Sequence, residues 1–176
     1  MQKLLSEIKG SRIILFQEQA LVGEVNDYLI DHEKGMLLGV FLQSPLDKKL
    51  KVIPTSEFKG IGDNHILVSD LNSLTDLDDF IRGAEVIKTD AKIILENAVT
   101  EMGSKLGKVS DATFDLIGYK LARIYVRPRL GMRFAKELII PAEKIIEIKK
   151  NTIVIADEAV TVKAKKVSVP VPTVCE

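Results

Sequence analysis

The chain has 176 residues, 46% of them hydrophobic and 28% charged, with 25 basic side chains balancing 25 acidic ones. That length holds one ordinary domain or two small ones. The apolar fraction excludes a disordered chain, and the zero net charge excludes a protein whose main task is to coat nucleic-acid phosphates.

Rare residues narrow the class further. A single cysteine, Cys175, precludes an internal disulfide and points to a reducing compartment. His32 and His65 are the only histidines, too few soft ligands for an ordinary zinc site. Tryptophan is absent and aromatics are 5%, which leaves few platforms for stacking bases. No uninterrupted apolar run reaches signal-peptide or membrane-spanning length, so a soluble, cytoplasmic protein without membrane insertion is expected.

In chain order, short apolar or alternating runs read as strands: GSRIILF, LVGEVNDYLID, MLLGVFLQ, KLKVIP and HILVSD, separated by turns at Glu18-Gln19, Lys34-Gly35, Pro45 to Lys48 and Gly60 to Asn64. The next stretch, Ser69 to Ile81, spaces Leu71, Leu74, Leu77 and Phe80 by three residues, the mark of one face of a short helix. A second set of strands follows: AEVIKTD, KLGKVSDATFD, YKLARIYVRP, KELIIP and NTIVIAD. Beyond them, three lysines and two prolines in Val162 to Glu176 read as an extended tail.

The second set repeats the first. At an offset of 84 residues, Gly23, Val25, Asp27 and Asp31 match Gly107, Val109, Asp111 and Asp115. Gly35 pairs with Gly118 in the turn that follows. At an offset of 87, Ile53-Pro54 matches Ile140-Pro141 and NHILVSD matches NTIVIAD. Strands this short must close on one another to cover their edges.

These residues, with Ile66 and Ile153 in the closing strands, resemble the PRC-barrel, the small β-barrel of the cytoplasmic part of the photosynthetic reaction-centre H subunit and of the C-terminal domain of a ribosome maturation factor. The resemblance implies a mainly all-β chain of two tandem PRC-like barrels joined by a short helical linker. Barrel 1 would span 1–71, the linker 72–81, barrel 2 82–160 and the tail 161–176. It also implies a protein-binding module that is not an enzyme and needs no cofactor or metal.

Asp27 with Asp31, and Asp111 with Asp115, stand four apart on strands and so on one face. Such carboxylates can serve as acid and base or hold a divalent cation. The alternative, favoured because no partner residue recurs with them, is that the second aspartate bonds the backbone of its turn. His32 and His65 read as solvated turn residues, and no nucleophile elbow or phosphate loop is present.

The most distinctive feature is Lys120 to Lys136, which holds six basic residues and no acid. Alternation sets Leu121, Arg123, Tyr125 and Arg127 on one face and Ala122, Ile124 and Val126 on the other. Arg123, Tyr125 and Arg127, with Arg129, Met132, Arg133 and Phe134 on the adjoining hairpin tip, form the candidate interaction surface, a composition typical of protein-interface hot spots. The competing partner is RNA or the ribosome, engaged by this face with Lys163, Lys165 and Lys166. The acidic stretch Asp70 to Asp79 is a third candidate, within one chain or across a homodimer.

Overall fold

Alternating apolar residues in short runs give a mostly β protein, and the computed structural model describes residues 1–43, 49–77, 79–80, 93–128, 137–149 and 151–161. The first sheet is built from β2 (Arg12–Leu15), β3 (Ala20–Asp31), β4 (Met36–Gln43), β5 (Leu50–Pro54), β6 (Phe58–Ile61), β7 (His65–Val68) and β8 (Thr75–Asp76). Its order is β6-β7-β2-β3-β4-β5-β8. The second contains β9 (Asn97–Thr100), β10 (Lys105–Asp115), β11 (Leu121–Arg127), β12 (Leu138–Pro141), β13 (Ile145–Lys149) and β14 (Thr152–Ile155), in the order β12-β11-β10-β9-β14-β13. Both sheets are curled.

Strand for strand the two orders are the same, and so are their irregularities. β2 runs parallel to β7 as β9 does to β14, while the other pairs of each common set are antiparallel. β3 steps out of register with β4 between Val25 and Asp27 and again between Leu29 and Ile30. β10 does so with β11 between Val109 and Asp111 and between Thr113 and Phe114. A 3-10 turn follows Pro54 at Thr55–Glu57 and Pro141 at Ala142–Lys144.

Several expectations are corrected. The first residues, expected with the first unit, are built onto the second sheet: β1 (Gln2–Leu4) pairs with the Thr113 to Asp115 end of β10. α1 (Leu5–Ile8) follows, its Leu5 and Ile8 wholly buried. The buried Lys3 reaches back to donate to the Asp63 carbonyl at 2.9 Å, so this segment ties the two sheets together. The stretch expected as a helical linker opens on a 3-10 turn at Leu71–Ser73 and β8, which pairs with β5, and only its end, at Leu77, Asp79 and Phe80, has helical backbone. AEVIKTD lies outside the described residues, and Asn97–Thr100 takes the strand position that corresponds to β2. β6 and β13 are strands that the sequence reading missed. At the C-terminus, α2 (Glu158–Thr161) follows β14, and the tail beyond 161 is outside the described residues.

The two sheets meet at the tips of equivalent hairpins. Leu37 N donates to the Tyr119 carbonyl at 2.8 Å and Leu121 N to the Gly35 carbonyl at 2.7 Å, with Met36 bridged to Lys120. Each of these contacts joins a residue to the counterpart of its partner, the relation of a local twofold axis. One buried apolar cluster runs through both sheets, taking in Ile13, Val40 and Ile53 as well as Val109, Ile124 and Ile153. Among the described residues no helix is long and apolar enough to cross a membrane.

Left-handed backbone also recurs at matched places. Gly10 (φ +83°) corresponds to Leu95 (φ +73°), and both donate their N–H to the carbonyl of the matching valine, Val25 or Val109, at 2.9 Å. The left-handed residue of the hairpin tip is Gly35 in the first copy and Tyr119 in the second, where the sequence match had named Gly118. Leu95 therefore holds a glycine conformation, with a side chain 70% exposed and little packing to lose. Leu95→Gly is expected to raise stability by about 1 kcal/mol in urea unfolding, and Gly10→Leu to lower it by a similar amount. Loss of stability in Leu95→Gly would contradict this assignment.

Candidate interaction face

β11 lies between β10 and β12, so its side chains alternate between core and outer face. Ile124 and Val126 are buried, whereas Arg123 and Tyr125 are half-buried and Arg127 is exposed. The expected outward set of Arg123, Tyr125 and Arg127 is therefore brought together. Leu121 departs from it and joins the core, because Ala122 is an extra residue between the pairs Thr113 with Arg123 and Phe114 with Leu121. Arg129, Met132, Arg133 and Phe134 lie outside the described residues.

Each of these side chains has a definite setting. The Arg123 guanidinium donates to Gln2 Oε1 at 2.9 Å, which anchors β1. The buried Thr113 hydroxyl donates to the Tyr125 hydroxyl at 3.3 Å. Ile139 stands opposite Tyr125 on β12 and is half exposed, adding an apolar surface that the sequence reading missed. The run Leu138-Ile139-Ile140 gave no clue to which isoleucine faces out; pairing with β11 decides it.

Beside this face is a cleft of about 710 Å³ lined in part by Lys105, Lys108 and Arg127, with Asn97, Ser110 and Thr152. Its lining includes three cations, and the Glu137 carboxylate stands next to it, accepting from Ser110 Oγ at 2.6 Å. Gly107 at its wall has φ +149°, and a Cβ there would stand 2.1 Å from the Arg127 carbonyl oxygen, so only glycine lets the two strands approach.

The aspartates have structural partners. Asp31 Oδ1 accepts from Lys34 N at 3.0 Å and Asp115 Oδ1 from Ile117 N at 2.8 Å, the turn bonds that the alternative reading anticipates. Asp111 accepts from Ala112 N at 2.8 Å and from the backbone and hydroxyl of Ser6, fastening α1 to β10. The expected common face of Asp27 and Asp31 is broken by the register step at Leu29, which leaves Asp31 buried and Asp27 half-buried. Among the described residues no three His, Cys, Asp or Glu side chains stand together as a metal cluster. His32 is half-buried, and His65 opens β7 with its ring over Gly62, where a Cβ would lie 2.2 Å from Cε1. In the acidic stretch, Asp76 pairs with Lys51 of β5 at 2.8 Å and Asp70 accepts from Asn72 N, so these two are engaged within the first sheet.

A scan against protein-family models finds no match to the chain, and a search of curated proteins finds none either.

Between the sheets, burial first and then the carboxylates of Asp27 and Asp111 push the Tyr28 phenol above the usual tyrosine range. The unfolded chain ionises Tyr28 near pH 10, before the folded chain does. Stability from the neutral phenol is thus fully present below that pH and is lost as pH rises above it. Tyr28→Phe is expected to flatten the fall of melting temperature above pH 10, and an unchanged alkaline slope would refute the role of this phenol.

Proposed function

We propose that the chain is a non-catalytic interaction module of the cytoplasm, an adaptor whose two copies each close into a small PRC-like barrel. The reading is supported by one observation above all: Arg123, Tyr125 and Arg127 share the outer face of β11 beside the exposed Ile139 of β12, a mixture of cation, aromatic and apolar surface on a strand paired on both sides. Tyrosine buries a large area at small entropic cost, and arginine and tyrosine are both enriched among the residues that dominate protein interfaces. The aspartate pairs are engaged in turns and in fastening α1, which leaves this face the better candidate for a role outside the fold.

A second reading is favoured by the cleft beside it. Lys105, Lys108 and Arg127 outnumber the one neighbouring acid, Glu137, and so suit an anionic ligand, RNA phosphate foremost, although the whole chain is neutral. The two readings separate by salt and by nuclease. A protein partner captured from native lysate survives ribonuclease treatment, whereas RNA-dependent capture disappears and weakens steeply with salt.

Arg127→Glu with Ile139→Thr changes only exposed positions and keeps a β-branched residue at 139. The adaptor reading expects at least a tenfold loss of captured partner with a melting temperature within a few degrees of the parent. Undiminished ribonuclease-resistant capture by the folded double variant would overturn the assignment of this face.

A further inference from the structure

The two hairpin tips meet about a local twofold axis, but the halves around that axis are unequal. In one half Phe58 packs edge-on against Tyr119, ring centroids 5.8 Å apart and planes at 87°. Their counterparts in the other half are Ile145 and Gly35, by the matched registers and turns of the two sheets. The aromatic pair is missing there, and a cleft of about 880 Å³ lies in its place, lined by both Gly35 and Ile145.

The wall of this cleft is an edge strand. Among the described residues β13 pairs only with β14, and its residues Ile145 to Lys149 all line the cleft. Ile146 is 52% exposed beside it. An edge of this kind accepts an added strand through main-chain hydrogen bonds, while pockets beside it read the alternate side chains. The charged groups around it balance: Asp31, Glu33 and Glu147 against Lys34, Lys120 and Lys149. Two of the acids are already paired, Asp31 with Lys34 at 3.8 Å and Glu147 with Lys149 at 2.9 Å. A balanced rim suits an uncharged apolar segment and offers no field to a polyanion.

We propose that this cleft is a peptide-binding site, in which an extended segment of a partner protein adds to the edge of β13 and seats a tyrosine or phenylalanine where Tyr119 sits in the other half. The proposal deepens the adaptor reading by giving the class of partner. It does not depend on the β11 face, since Arg127 and Ile139 do not line this cleft.

The molecule supplies its own blocking variant. Gly35→Tyr with Ile145→Phe rebuilds the Phe58 and Tyr119 pair in the open half. A tyrosine is tolerated at that backbone position, because Tyr119 has φ +52° where Gly35 has φ +59°. A Cβ on Gly35 would meet only the Leu121 Cβ, at an ordinary 3.6 Å. The probe is the capped pentapeptide Thr-Val-Tyr-Val-Thr, titrated into the full chain and followed by amide chemical shifts, with its Tyr→Ala analogue as control. Binding is expected to move the amides of Gly35, Lys120, Ile146 and Ile148, at least tenfold more weakly for the alanine analogue. The double variant is expected to keep its melting transition and lose the response. The Arg127→Glu, Ile139→Thr protein is expected to respond as the parent does, which separates failure of this site from failure of the β11 face. The proposal is overturned by equal affinity for the two peptides, by no response at millimolar peptide, or by an undiminished response in the folded double variant. It is equally overturned if the cleft is held by residues 162–176 of the same chain, seen as contacts to Ile146, or by a second copy, seen as dilution-dependent shifts at β13.

Discussion

The hydrogen bonds between Leu37 and Tyr119 and between Leu121 and Gly35 set most of what is distinctive in this structure. A hairpin tip normally ends in water, and its backbone groups are satisfied there. Here two tips satisfy each other, which places the sheets about a common axis and allows a single core to run through both. The same placement explains why the carboxylate of Asp111, on the second sheet, acts on the Tyr28 phenol of the first. It also explains how β1, at the start of the chain, lies within reach of β10 while Lys3 reaches Asp63.

Matched backbone under unmatched side chains is the recurring pattern. Gly10 and Leu95, Gln19 and Gly103, and Gly35 and Tyr119 are left-handed in pairs, although each pair holds only one glycine. The conformation is therefore imposed by the strand connections, and the residue type is a local adjustment to it. Where glycine is replaced, the chain accepts strain of order 1 to 2 kcal/mol at a single residue. At Tyr119 the compensation is visible, because the ring packs on Phe58. Leu95, with an exposed side chain, has no comparable contact, which is why it is the position where glycine should gain most.

How far the sequence revealed this depends on the length scale of each feature. β3, β4, β10 and β11 were legible because eight or so alternating residues outweigh local noise, and the outward setting of Arg123, Tyr125 and Arg127 followed from the same alternation. Leu121 was misassigned because one extra residue, Ala122, reverses the alternation, and no propensity marks such a bulge. β6 and β13 were missed because each is an edge strand of four or five residues, and in β6 a glycine interrupts the apolar pattern. β1 could not be read at all: Gln2, Lys3 and Leu4 form a strand only because the far end of β10 offers them an edge. The turn aspartates Asp31 and Asp115 were legible for the opposite reason, since their bonds reach only two or three residues along the chain.

The peptide cleft belongs to the least legible class, because it arises from a difference between two positions that are distant in sequence and joined only by the axis. Duplication supplies two equivalent places, and a single arrangement of side chains would close both or open both. Substitution of the aromatic pair in one half frees that half for a ligand while Phe58 and Tyr119 continue to pack the other. Stability and binding are then assigned to opposite sides of the same axis, so a change in the open half need not weaken the closed one. This division also accounts for charge. The second sheet gathers Lys105, Lys108 and Arg127 around one neighbouring acid, Glu137, whereas the cleft at the axis holds acids and bases in equal number, so a neutral chain presents two surfaces of different chemistry.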